Sequence, residues 1–141
     1  MNRLLVDSNV ILDVLTEDPH WFVWSSRALL ESAETSELVI NPIVYAEVSV
    51  RFERIEDLEE ALPQGLFMRS SLPWEAAFLA GKCFLSYRKR GGVRRSPMPD
   101  FYIGAHASVE GWSLLTRDAR RYRTYFPKLN LIAPPAEEPD F

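Results

Sequence analysis

The chain has 141 residues, 47% of them hydrophobic, enough for one domain with its own core, and this composition excludes a disordered chain. Its 16 basic and 20 acidic residues leave a net charge of −4, a sign that argues against a nucleic-acid partner unless the charge is unevenly spread. It is unevenly spread: basic residues crowd the stretches 82–95 and 117–128.

In chain order, Leu4-Leu5-Val6 is short, apolar and unbroken, as in a buried parallel strand. Asp7-Ser8-Asn9 offers helix-cap residues, and Val10 to Leu15 forms one or two helical turns before Glu17-Asp18-Pro19 breaks them. A second helix runs from His20 to about Glu34. It carries Trp21, Phe22 and Trp24 on several faces, so part of this aromatic surface is left for a partner to cover. Leu38-Val39-Ile40 is a second strand, and Pro42 opens a helix to about Glu53. Ile55 to Leu62 is an acidic surface helix, and Leu66-Phe67-Met68 a third strand. Trp74 to Arg90 forms a long helix ending in basic residues, stopped by Gly91-Gly92. A basic loop leads to Pro97 and Pro99, where a helix starts and runs to Glu110, and Gly111 ends it. Ser113 to Thr116 is a fourth strand, Asp118 to Tyr125 a short basic helix, and Leu129 to Ile132 a fifth strand. Residues 1–133 read as a single domain, and 134–141 as a Pro-rich acidic tail. Strands alternating with helices imply an α/β protein, a parallel sheet covered by helices on both faces.

The single Cys83 excludes an internal disulfide, disfavours structural zinc and reads as a small core residue. No apolar run is long enough to cross a bilayer, and the chain enters a strand without a signal-peptide pattern. The expectation is a cytoplasmic protein with no membrane partner.

Asp7, Glu47, Asp100 and Asp118 sit where such a fold gathers side chains into one cluster. Ligands of open α/β sheets bind beyond the carboxyl ends of the strands, and Asp7 and Asp118 follow strands one and four. Glu47 shares a helical face with Ile43, Ala46 and Val50, a face expected to look inward. Asp100 lies in the first turn of its helix, on the face of Ile103, Gly104 and Ala107. Each has an ordinary alternative: Asp118 as a helix cap, Asp100 as a favourable first-turn charge, Asp7 as a turn residue. Glu47 is the hardest to explain that way, because a glutamate without a task prefers the solvent face. Four carboxylates without His or Cys companions suit a hard cation such as Mg²⁺ or Mn²⁺, and with it metal-assisted phosphodiester chemistry.

Four segments taken in order resemble the PIN-domain ribonucleases, and in particular the VapC-type toxins of toxin–antitoxin pairs. They are Leu4 to Leu12, Pro42 to Glu47, Asp100 to Ala107, and Leu114-Leu115-Thr116-Arg117-Asp118. The resemblance implies a three-layer α/β/α sandwich with a five-stranded parallel sheet, and a Mg²⁺- or Mn²⁺-dependent endoribonuclease. It carries Asp7, Glu47, Asp100 and Asp118 over as the acidic quartet and metal ligands, with Asn9, Ser8 and Thr116 in support. Ser8 stands where Thr is common and keeps the hydroxyl. The implied partners are an RNA substrate, a cognate antitoxin and a second copy of the chain. Arg88, Lys89, Arg90, Arg94, Arg95 and Arg117 flank the quartet and are the expected RNA contacts, with a solvated helix end as the alternative reading of the loop. Two other classes compete with this reading. One is a PIN-like binding module without catalysis, which an intact quartet disfavours. The other is a phospho-acceptor α/β domain. Phosphatases of that kind want a second Asp where Asn9 stands, and receivers want a late-strand Lys that Thr116-Arg117-Asp118 does not offer.

Overall fold

The computed structural model describes residues 2–135. Its elements are β1 (Asn2–Val6), α1 (Ser8–Leu15), α2 (Phe22–Thr35), β2 (Ser36–Ile40), α3 (Pro42–Ser49), α4 (Ile55–Ala61) and β3 (Phe67–Arg69), then α5 (Trp74–Lys89), α6 (Pro99–Glu110), β4 (Ser113–Leu115), α7 (Arg120–Tyr125) and β5 (Leu131–Ile132). The strands form one all-parallel sheet in the order β3-β2-β1-β4-β5. With the helices it makes the expected three-layer α/β/α sandwich.

β1 lies at the centre because it is apolar throughout its carboxyl half: Leu4, Leu5 and Val6 are fully buried. Leu5 pairs with Val39 on one side and Leu114 on the other. Each such side chain contributes about 1.5–3 kcal/mol by leaving water. α6 rests on β1 and β4, and α5 packs along α6. Gly111 takes φ +71° at the end of α6, a left-handed conformation that explains why glycine stops the helix there.

α3 is capped by Asn41, whose side-chain oxygen accepts the N–H of Val44 at 2.9 Å, with Pro42 in the first turn. The helix ends at Ser49 rather than near Glu53. The Ser49 hydroxyl donates to the Ala46 carbonyl, and the N–H groups of Arg51 and Phe52 close tight turns onto Val48 and Ser49. Its buried stripe also differs from the expected one. Val44 and Val48 face the core, while Ala46 and Val50 are exposed, so Glu47 stands at the margin of the stripe. β3 starts one residue later than expected, at Phe67, after a turn in which the Leu66 and Phe67 N–H groups both donate to the Pro63 carbonyl. α7 starts at Arg120 rather than Asp118. Cys83 is a buried free thiol. Among the described residues no helix is long and apolar enough to cross a membrane. The expected acidic tail lies, from residue 136 on, outside the described residues.

Candidate active site

Asp7 extends β1: its N–H donates to the Leu115 carbonyl at 2.9 Å. It occupies the cap position of α1, yet its side chain caps nothing. The carboxylate, only 3% exposed, instead receives the hydroxyls of Thr116 at 2.9 Å and Tyr122 at 2.8 Å, both on Oδ2. Among the described residues Oδ1 has only the Ser8 hydroxyl, at 3.5 Å. Asn9 aims Thr116: its Nδ2 donates to the Thr116 Oγ1 at 3.2 Å, and its Oδ1 accepts the Arg117 N–H at 3.3 Å. Burial lifts the pKa of Asp7 from 3.8 to about 6, the charge of Asp100 adds to this, the Tyr122 and Thr116 hydroxyls oppose it, and Glu47 adds a smaller push.

Ser8 ties the second acid in. Its hydroxyl donates to Glu47 Oε1 at 2.9 Å. Burial raises the pKa of Glu47, the Ser8 hydrogen bond lowers it, and Asp100 raises it. Asp100, in the first turn of α6, pairs with Arg121 Nη1 at 3.1 Å through Oδ2, and its Oδ1 lies 3.5 Å from the Tyr122 hydroxyl. Burial raises its pKa, Arg121 opposes this by charge and by hydrogen bond, and the charge of Asp118 adds to it. Asp118 is exposed. Its N–H donates to Thr116 Oγ1 at 3.2 Å, and its carboxylate lines a cleft with Asp100.

The four acids are therefore neighbours that feel one another's charge, at the carboxyl edge of β1 and β4. They do not converge: among the described residues no three acidic, His or Cys side chains meet as closely as a formed metal site requires. The donor set nevertheless fits a hard divalent cation. It is made of carboxylate oxygens, their mutual repulsion is incompletely offset, and among the described residues Asp7 Oδ1 has no short hydrogen bond.

The expected basic contacts divide. Arg88 donates to the carbonyls of Gly92 and Arg94 at 3.2 and 3.0 Å and so shapes the loop. The Tyr87 hydroxyl accepts the N–H groups of Val93 and Arg94 from the same loop. Arg90 stacks over the Tyr125 ring at 5.2 Å. Lys89, Arg94 and Arg95 are exposed. Arg117 departs from the expectation. Its Nε donates to Asp13 Oδ2 at 2.8 Å, and its guanidinium lies 5.5 Å over Trp21, because the buried Asp13 requires a cation. Trp21, just before α2, and Trp24 within it are likewise partly buried and pack edge to face at 6.2 Å; the exposed apolar residues of that helix are Phe22, Val23 and Leu30.

Sequence reasoning missed Tyr122, Arg121 and Asp13. Tyr122 is the buried residue of α7, an aromatic in a helix otherwise read as basic surface. Asp13 carried no signal, since its partners are Ser25 at 2.8 Å and Arg117.

The PIN domain profile matches residues 4–127, and the chain belongs to the PIN domain family. Its fold is similar to that of several solved structures. One is VapBC2 from Rickettsia felis bound to a promoter DNA fragment, with 18% identity, 93% of this chain and 98% of that chain covered, and a TM-score of 0.70. Another is VapBC-1 from nontypeable Haemophilus influenzae, with 18% identity, coverage of 93% and 97%, and a TM-score of 0.70. A third is a toxin–antitoxin complex from Klebsiella pneumoniae, with 17% identity, coverage of 92% and 95%, and a TM-score of 0.67. No curated protein matches the chain.

Proposed function

We propose that the chain is a metal-dependent endoribonuclease and the toxin of a toxin–antitoxin pair, acting in the cytoplasm through a single PIN domain over residues 1–133. The observation that carries the reading is the state of Asp7. A carboxylate 3% exposed, beside Asp100 and Glu47, with a pKa of about 6, is poorly placed as a structural residue and well placed to receive a cation.

Mg²⁺ or Mn²⁺ would be held by Asp7 and Asp100, with Glu47 and Asp118 acting through water or at a second position. A bound cation supplies a water of lowered pKa and offsets negative charge on the phosphate being cleaved. The protein's own contribution is positioning. Thr116 and Tyr122 fix Asp7 by its Oδ2, Asn9 fixes Thr116, and Ser8 holds Glu47 beside them.

The partners follow from exposed apolar surface. On α5, Trp74 is 89% exposed and Phe78 69%, and a side chain added at Gly81 would meet nothing. This stripe is the proposed homodimer face, where the missing side chain permits close helix approach. An apolar groove of about 270 Å³, lined by Val14, Leu29, Leu30, Ala33, Leu66 and Phe67, is the proposed seat for an apolar side chain of the antitoxin.

The test is cleavage of a cellular RNA pool by purified protein. Cleavage that requires Mg²⁺ or Mn²⁺ and disappears in Asp7→Asn is expected. Cleavage that persists in chelator, or in Asp7→Asn, sinks the assignment. A chain that binds RNA without cutting it would favour the silent binding module.

A further inference from the structure

Between α5, α6 and α7 lies a cleft of about 500 Å³, lined among others by Tyr87, Asp100, Asp118, Arg120, Arg121 and Tyr125. It opens beside the acidic group and combines two arginines with two tyrosines. Arg121 is engaged with Asp100, but the pair is open to water: the two side chains are 41% and 34% exposed. Such a bond contributes about 0–1 kcal/mol and is easily exchanged. Arg120 is exposed, and its carbonyl, rather than its guanidinium, is bonded to Thr124. On the α5 side, Arg90 lies on the Tyr125 ring, and Tyr87 and Arg88 hold the loop that carries Arg94 and Arg95. The loop is built to stay there: a Cβ at Gly92 would fall 2.2 Å from the Tyr87 ring. Cations beside aromatic rings are the chemistry that binds a phosphate together with an unpaired base. The carboxylate that the chemistry needs, Asp7, is 3% exposed, so the nucleic acid must bend its backbone into the edge of the sheet. A single strand can do so at far lower cost than a duplex.

We propose that this cleft is the subsite for a single-stranded RNA nucleotide next to the cleaved phosphate, and that Arg121 passes from Asp100 to that nucleotide's phosphate when RNA binds. The proposal rests on the ribonuclease reading and deepens it. Arg121 holds Asp100 occupied in the free protein. RNA removes that occupant, so RNA and divalent cation each favour the other's binding.

The test measures binding by fluorescence anisotropy, using the full chain with divalent cations chelated. The probe is a labelled single-stranded RNA of mixed sequence and about twelve nucleotides. Arg120→Gln and Arg121→Gln are each expected to weaken binding about five- to tenfold and to lower the salt slope by about one. Arg3→Gln removes an equal charge at the amino edge of the sheet and is expected to leave binding unchanged. Calorimetry without RNA should show Mn²⁺ binding tightened more by Arg121→Gln than by Arg120→Gln. A duplex of the same sequence should compete poorly. Equal competition by duplex, or equal losses in Arg3→Gln, overturns the proposal. Normal RNA binding by both cleft variants of a chain that cleaves RNA removes the subsite and leaves the nuclease. Weakened binding by those variants of a chain that cleaves no RNA keeps the subsite and removes the nuclease.

Discussion

Tyr122 and Asp7, 115 positions apart in the chain, share a buried hydrogen bond of 2.8 Å. Burial, together with the charges of Asp7 and Asp100, pushes the phenol well above its ordinary pKa, so it remains a donor across the working range. Tyr122→Phe removes that donor while keeping the ring. The loss of a hydrogen bond to a charged acceptor costs about 1.5–3 kcal/mol. Denaturation at pH 8 should show a loss of that order, and a smaller one at pH 4, where Asp7 is protonated. An equal loss at both pH values would mean that the ring, not the bond, matters.

Asp7 itself makes stability depend on pH. Its pKa is raised in the fold from 3.8 to about 6. The advantage of the protonated carboxyl is complete below about pH 4 and is lost as pH rises through about 6. At about 1.4 kcal/mol per unit this is about 3 kcal/mol. Asp7→Asn should therefore stabilise the metal-free protein by about 2–3 kcal/mol at pH 7.5 and by little at pH 4. Urea unfolding at the two pH values checks this. Millimolar Mn²⁺ should stabilise the parent at pH 7.5 and leave Asp7→Asn nearly unmoved.

Much of this was legible in the residues. Each of the five strands contains an apolar run, and Asp7 and Asp118 follow two of them, so the strand-end rule finds both. The helical face that marks Glu47 in the sequence is one position off the buried stripe, since the cap at Asn41 and the two buried valines set the phase of α3. Tyr122 was not legible as a partner of Asp7, nor Asp13 as the partner of Arg117, because neither pairing follows from local spacing. Both depend on how β1 and β4 lie side by side.

Asp13 is a structural acid with a test of its own. It is 3% exposed and accepts bonds from Ser25 and Arg117. Asp13→Ala leaves Arg117 without its partner and the Ser25 hydroxyl buried alone, a cost of about 2–4 kcal/mol. Because Arg117 joins Thr116 to Asp118, activity should fall along with stability. A melting temperature within a degree of the parent would count against this network.

Gly104 offers a purely steric test. An added Cβ would meet the Phe126 ring at 2.4 Å. Gly104→Ala should cost about 1–3 kcal/mol through overpacking, with the Mn²⁺ response retained. Thermal unfolding with and without Mn²⁺ separates the two effects.

Trp74→Ser with Phe78→Ser should convert the proposed dimer to a monomer by light scattering at micromolar concentration, without loss of fold. A monomeric parent would refute the dimer face outright.

The placement of β1 between β2 and β4 has a consequence in time. Asp7 leaves the ribosome well before the groups that hold it, Thr116 and Tyr122, which follow it by 109 and 115 residues. A nascent chain therefore carries no assembled acidic group until α7 has emerged. A PIN domain built this way stays inert during its synthesis until α7 has joined the sheet.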